Sequence, residues 1–171
     1  EATGTTPIFV ITRTGGEGRD LARYMGADPN VSGGGWFASK PNEWTNKVKA
    51  EDKDKHYLEP DSVELGVIKY LNDNFDNVIL VVNTNNAFEL GWVANYPNIK
   101  SVLWAPGAGG ETYNAVADVI SGKVTPSGKL VDTFAFDALS APAMQNMGDL
   151  QYENNGKATG YYGVSYDEGI Y

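Results

Sequence analysis

PDSVELGVIKYLNDNFDNVILVVNT, Pro60 to Thr84, sets a helical period directly before a strand. Val63, Val67, Ile68, Leu71 and Phe75 recur at helical spacing, so one face of the segment is apolar and needs a surface to cover. From Asn77 to Thr84 (NVILVVNT) that period gives way to nearly continuous β-branched residues. Such a run reads as a strand buried on both faces, typical of a parallel sheet. Working outward, PIFVITR (Pro7 to Arg13) is a second run of the same kind, and SVLWAPG (Ser101 to Gly107) is a third, ending in a Pro-Gly turn. Tyr113 to Ser121 reads as a further helix, with Gly122 as its C-terminal cap. Strand–helix–strand–helix alternation predicts an α/β fold with a mainly parallel sheet.

The connecting stretches are less regular. ELGWV (Glu89 to Val93) reads as a short helical or turn segment, and Leu21 to Met25 as the start of a short helix. KLVDTFAF, after Pro126-Ser127-Gly128, is a fourth extended segment. Residues 26–57 carry neither period; they include GGG at 33–35 and the mixed-charge KVKAEDKDK at 47–55. A loop of that length is either a lid or a poorly ordered insert. The tail from Met144 to Gly163 is polar and without clear period. There is no internal repeat, and no second domain boundary is needed.

Composition narrows the function. The 171 residues are 42% hydrophobic and 20% charged, enough to bury a core within one domain. A net charge of −9 argues against nucleic acid and against anionic membrane surfaces, because both need clustered Lys and Arg. A neutral or small ligand fits better. With no cysteine and a single histidine, His56, disulfides and thiolate or multi-histidine zinc sites are excluded. No metal or cofactor is expected. No apolar run approaches the ~20 residues of a membrane span. The start Glu-Ala-Thr-Gly resembles no signal peptide and lacks Met, as expected of a fragment or processed product. Cysteine absence suits a reducing cytosol and an exported bacterial enzyme equally, so no compartment is assigned.

The glycine-rich turn after the first strand, TGGEGRD (Thr14 to Asp20), occupies the position where open α/β sheets bind ligands, at a strand's carboxyl end. It is a poor dinucleotide fingerprint. Leu21 stands where the last glycine belongs, and Glu17 would put a negative charge where pyrophosphate docks. Glu17 is instead a candidate catalytic carboxyl, unshielded by its glycine neighbours. Glycosidic cleavage needs a general acid/base and a nucleophile, both carboxyls, ~5–5.5 Å apart in retaining enzymes. Arg19 and Asp20 could tune or orient it. A solvated loop carboxylate is the plain alternative, and a glycine-flanked Glu does not by itself decide between them.

The segment VLWAPGAGGETYNAVADVISGKVTPSGKLVDTF, Val102 to Phe134, closely resembles the C-terminal sandwich domain of glycoside hydrolase family 3. Its parts stand in order: a strand, Pro106-Gly107, Gly109 and Gly110, a helix, Gly122, then Pro126-Ser127-Gly128-Lys129-Leu130. NVILVVNTNNAFELGW, VITRTGGEGRD, APAMQNMG and the closing YDEGIY also resemble family segments. The likeness spans nearly the whole chain, least in 26–57, and looks closest to clostridial and rumen-type β-glucosidases. It implies a three-layer α/β/α sandwich over 1–171, partial and incomplete at its N-terminal side, with a loop insert at about 26–57. It implies a (β/α)8 barrel as partner, the sugar lying between the two, and hydrolysis with retention of terminal β-linked glucose or a related sugar from a glucoside or oligosaccharide. The family nucleophile is an Asp of the barrel, which nothing here resembles, so this chain alone is expected to be inactive. The acid/base position varies among branches; the match here is Glu17. His56 does not inherit the role of the branch with an Asp-His pair, since that pair lies in the barrel.

Aromatic rings are the usual platforms for pyranose faces. Trp36, with Phe37, and Trp44 lie in the polar loop after Glu17 and are candidates for sugar contact. Trp92 and Trp104 read as core. Glu111 suits a helix N-terminus, and Glu89 and Asp132 suit local hydrogen bonding. Asn83 and Asn85 are cleft candidates by position; Tyr166, Glu168 and Tyr171 line the cleft or anchor the tail. A non-catalytic sugar-binding or structural module is the competing reading.

Overall fold

The computed structural model describes residues 4–13, 25, 48–107, 109–141, 151–155 and 157–162. Three strands, β1 (Ile8–Arg13), β2 (Val78–Thr84) and β3 (Ile99–Trp104), form one parallel sheet in the order β1-β2-β3. Helix α1 (Ser62–Asn74) joins β1 to β2, and α2 (Thr112–Ile120) follows β3. The expected α/β class and parallel sheet are therefore present. Among the described residues no strand pairs with the outer edge of β1, so the sheet is open there.

One face of the sheet holds the core. Ile11, Leu80 and Val82 from the strands meet Ile68 of α1 and Phe88, and Phe9, Trp92, Tyr96, Ile99 and Trp104 pack around them. Each such fully buried side chain contributes roughly 1.5–3 kcal/mol relative to exposure. Asn83, pointing to the opposite face from Val82, donates its amide to the Tyr113 hydroxyl of α2 at 3.3 Å. α2 thus reaches the face opposite α1 at the end of β2, while none of its own side chains is buried.

Only β2, the central strand, is covered on both faces. β1 departs from the expectation of double burial: Ile8 and Val10 are 50% and 51% exposed. They alternate with Phe9 and Ile11, so an apolar run marked a strand whose second face lies open. In α1 the buried side is turned from the expected stripe. Ile68 is buried and Leu71 and Phe75 are half-buried, but Val63 and Val67 face outward. The anchors of α1's first turn are polar, which apolar counting misses. Asp61 accepts from Glu64 N at 2.7 Å, and Glu64 Oε2 accepts from Asp61 N at 2.8 Å, a reciprocal capping box.

Gly91 to Asn95 forms a short 3-10 turn, in keeping with the turn expected at 89–93. A Cβ at Gly91 would run into the carbonyl oxygen and ring of Phe136, because the backbone of 135–136 passes directly over it. The fourth extended segment does not join the sheet. It is held by Leu90 N to Ala135 O at 3.2 Å and Gly91 N to Phe136 O at 3.1 Å. Its Phe134 packs edge-on against Trp104, with ring centroids 5.5 Å apart. The expected Gly122 cap is present, with φ +76° and its N–H donating to Val119 O.

The tail contains order that its polar composition concealed. β4 (Gln151–Asn154) and β5 (Lys157–Tyr162) pair antiparallel. Their connection is Asn155-Gly156, and Asn155 has φ +53°, the conformation a two-residue hairpin turn demands. That Asn-Gly dipeptide was the available signal. The short helix expected from Leu21 lies outside the described residues apart from Met25.

Candidate functional site at the carboxyl edge of the sheet

β1, β2 and β3 run parallel and so end on one edge, at Arg13, Thr84 and Trp104. Arg13 organises the β1 end. Nε donates to Tyr57 O and Nη2 to Glu59 O, each at 2.8 Å, and Nη1 to Thr12 O at 3.0 Å. Nη1 and Nη2 also form a two-pronged pair with the Glu64 carboxylate, both bonds 2.7 Å. All five guanidinium N–H groups are thus engaged. The cation lies 5.1 Å from the Phe88 ring centroid and 5.7 Å from that of Tyr57. Burial works against its charge, but Glu64 outweighs this and raises its pKa above the ordinary value.

Beside it, residues 48–59 pack against the start of α1. Asp52, only 2% exposed, accepts from Ser62 N at 2.9 Å and from the Ser62 hydroxyl at 2.6 Å, and pairs with Lys55 at 3.1 Å. Burial opposes its ionisation, yet Ser62 and Lys55 prevail and hold its carboxyl below the usual aspartate range. Met25 N donates to Lys55 O at 2.8 Å. The mixed-charge stretch within the expected loop is therefore built into the fold from residue 48 onward. His56 is a loop residue, as expected, but a buried one, with Nδ1 accepting from Leu58 N at 3.1 Å.

Glu59 is partly buried and near Glu89. Burial first, then the Glu89 charge, raise its pKa above the ordinary glutamate value. Glu89 is committed to local bonding, its Oε2 accepting from Ala138 N at 3.0 Å. Asp132 accepts from the adjacent Thr133 N at 2.8 Å, and Glu111 stands at the N-terminus of α2, accepting from Asn114 Nδ2 at 3.0 Å. At the β2 end, Thr84 is buried; its hydroxyl accepts from Asn86 N at 3.0 Å and its carbonyl from Trp104 Nε1 at 2.8 Å. Trp92 Nε1 donates to Glu89 O at 2.7 Å. Both tryptophans read as core do pack there. Gly107 has φ +44°, and a Cβ on it would strike the Asn85 amide, so this turn after β3 requires glycine.

The sequence candidates divide accordingly. Asn83 and Asn85 lie at the carboxyl edge. Glu17, Arg19, Asp20, Trp36 and Trp44 lie outside the described residues, as do Phe37, Tyr166, Glu168 and Tyr171. The residues missed were Arg13, Asp52 and Glu59. Arg13 closes an apolar run, where a buried cation is unexpected, and Asp52 is concealed among alternating charges. A legible sign existed only for Glu64, three positions after Asp61 in a capping-box pattern. Among the described residues no group of three or more Asp, Glu or His side chains could hold a metal ion.

The parallel sheet with helices defines the chain as an α/β domain, with polar groups gathered at the carboxyl edge of its strands. Residues 25–171 match the model of the glycosyl hydrolase family 3 C-terminal domain, and the chain belongs to that family. It is similar to "Beta-glucosidase A" of Butyrivibrio fibrisolvens, with 36% identity over 130 residues, covering 76% of this chain and 15% of that protein. A β-glucosidase of Bacteroides ovatus is 38% identical over 76 residues, covering 44% of this chain and 10% of the relative. One from Schizophyllum commune is 32% identical over 104 residues, covering 61% of this chain and half of the relative. The chain thus spans only a small part of the bacterial relatives. No solved structure matches it. The family match begins after Glu17, so it does not include the turn at 14–20.

Proposed function

We propose that this chain is the sandwich part of a retaining β-glycosidase acting on terminal β-linked glucose or a related sugar. Glu17 serves as the acid/base, and a barrel domain of the same enzyme supplies the nucleophilic Asp. Glu17 protonates the leaving oxygen and then, as its carboxylate, takes a proton from the water that releases the sugar. Arg19 and Asp20 orient it, and Trp36 and Trp44 offer apolar faces to the pyranose. The observation that supports this reading is the end of β1. Arg13 stands on the carboxyl edge, where α/β sheets bind ligands, and Glu17 follows four positions later in the sequence.

The test is Glu17→Gln in the complete enzyme, assayed on phenyl and dinitrophenyl β-glucosides. Phenoxide leaves poorly and needs the proton, so its kcat/KM should fall by roughly 10²-fold or more. Dinitrophenoxide needs no proton and should fall far less. Glu59→Gln, made in parallel, should not discriminate between the two substrates. Full activity of Glu17→Gln on both would leave the domain as a sugar-binding or structural module.

A further inference from the structure

Residues 134–140 form a strap across the turn that follows β2. Leu90 N donates to Ala135 O at 3.2 Å, Gly91 N to Phe136 O at 3.1 Å, and Ala138 N to Glu89 Oε2 at 3.0 Å. Of these three bonds only the last uses an ionisable group, so it ties the strap to a charge. Glu89 also faces the packed stretch 48–59. Its backbone N–H donates to Leu58 O at 2.9 Å, which sets it beside Glu59. The Glu59 backbone is held in turn: its N–H donates to His56 O at 3.1 Å, and its carbonyl accepts from Arg13 Nη2 at 2.8 Å. Asp137, on the strap itself, is the third carboxyl to act on this junction. The cation that faces Glu59 is Lys55, already engaged by Asp52 at 3.1 Å and by Pro60 O at 3.0 Å.

We propose that the strap is a pH-operated latch, docked on the 89–91 turn while Glu59 is protonated and loosened when Glu59 ionises beside Glu89 and Asp137. Like charges repel, and the element with the fewest bonds yields first. Glu59 is fixed through Arg13 and Glu89 through Leu58, so the strap is the part free to move. Burial, then Glu89, favour the protonated form of Glu59 on folding. Docking therefore has its full advantage at acid pH and loses it as pH rises through the folded value. The latch is independent of the role given to Glu17.

The experiment is amide hydrogen exchange of the full chain, read residue by residue by NMR from about pH 4 to about pH 8. Each rate is divided by that of an unstructured peptide at the same pH. Protection of the Leu90, Gly91 and Ala138 amides should fall by about 3-fold or more as pH rises, while Val78, Ile79 and Ala105 in and beside the sheet keep theirs. Glu59→Gln should abolish the fall. Asp137→Asn, which keeps an acceptor for Leu139 N, should reduce it, and decides alone if Glu59→Gln does not fold. A fall that persists in full in either variant overturns the proposal, as does protection that stays flat in the parent. An equal fall at the sheet amides would mean that the whole chain loosens, and the latch fails.

Discussion

Asp52 and Glu59 stand seven positions apart in one packed stretch, and their carboxyls are shifted in opposite directions. Asp52 has a lower pKa folded than unfolded. Its stabilisation is therefore complete above the unfolded aspartate value of about 3.9 and is lost as pH falls through the folded value. Asp52→Asn should cost roughly 1–3 kcal/mol at pH 7, by leaving the buried Ser62 donors poorly matched. Urea unfolding should then show the gap between variant and parent closing as the solution is acidified below about pH 4. Glu59 carries the opposite sign. Its pKa is raised on folding, so its contribution is present below the unfolded glutamate value and is lost as pH rises through the folded one. Glu59→Gln should thus leave neutral-pH stability unchanged or slightly higher. A clear loss at pH 7 would mean that the ionised carboxylate makes a favourable contact.

At the scale of elements, α1 is held by its first turn as much as by its apolar face. Asp61→Ala removes one half of the capping box and should cost about 1 kcal/mol, read as a lower urea midpoint at unchanged slope. Asp61→Asn, which can still accept from Glu64 N, should cost less. An unchanged midpoint for Asp61→Ala would show that the Arg13–Glu64 pair carries the helix start without the cap. At the other end, Asn98 binds Asn72 through both its backbone N–H and its side-chain amide, at 3.1 and 2.8 Å. The helix is therefore held at both termini by polar contacts, to β1 through Arg13 and to the start of β3 through Asn98.

For the whole molecule, the open features fall on surfaces rather than in the core. The outer edge of β1 and the Ile8–Val10 face have no covering strand or helix among the described residues. Val124, Leu130, Val131 and Phe136 are exposed in the segment after α2, Val131 at 86%. Surfaces of this kind suit contact with other protein. On the proposed division of roles, the chain alone should hydrolyse no aryl β-glucoside, and addition of a barrel domain supplying the nucleophile should restore activity. Turnover by the chain alone would place a nucleophile within these residues and require the division of roles to be redrawn.

The sequence by itself determined the α/β alternation, the parallel strands, the Gly122 cap and the family, because these depend on local period, turn chemistry and ordered motifs. It also marked Trp92 and Trp104 as core, since each sits in an apolar context. Only the tertiary structure decided which side of α1 is buried, that KLVDTFAF stays off the sheet, and that β1 keeps an open face. Periodicity reports that a face is apolar, not which neighbour arrives to cover it. Arg13 and Asp52 were invisible in their roles for the same reason. Arg13 and Glu64 are 51 positions apart, and a charge reads as solvated until the fold brings its partner to it.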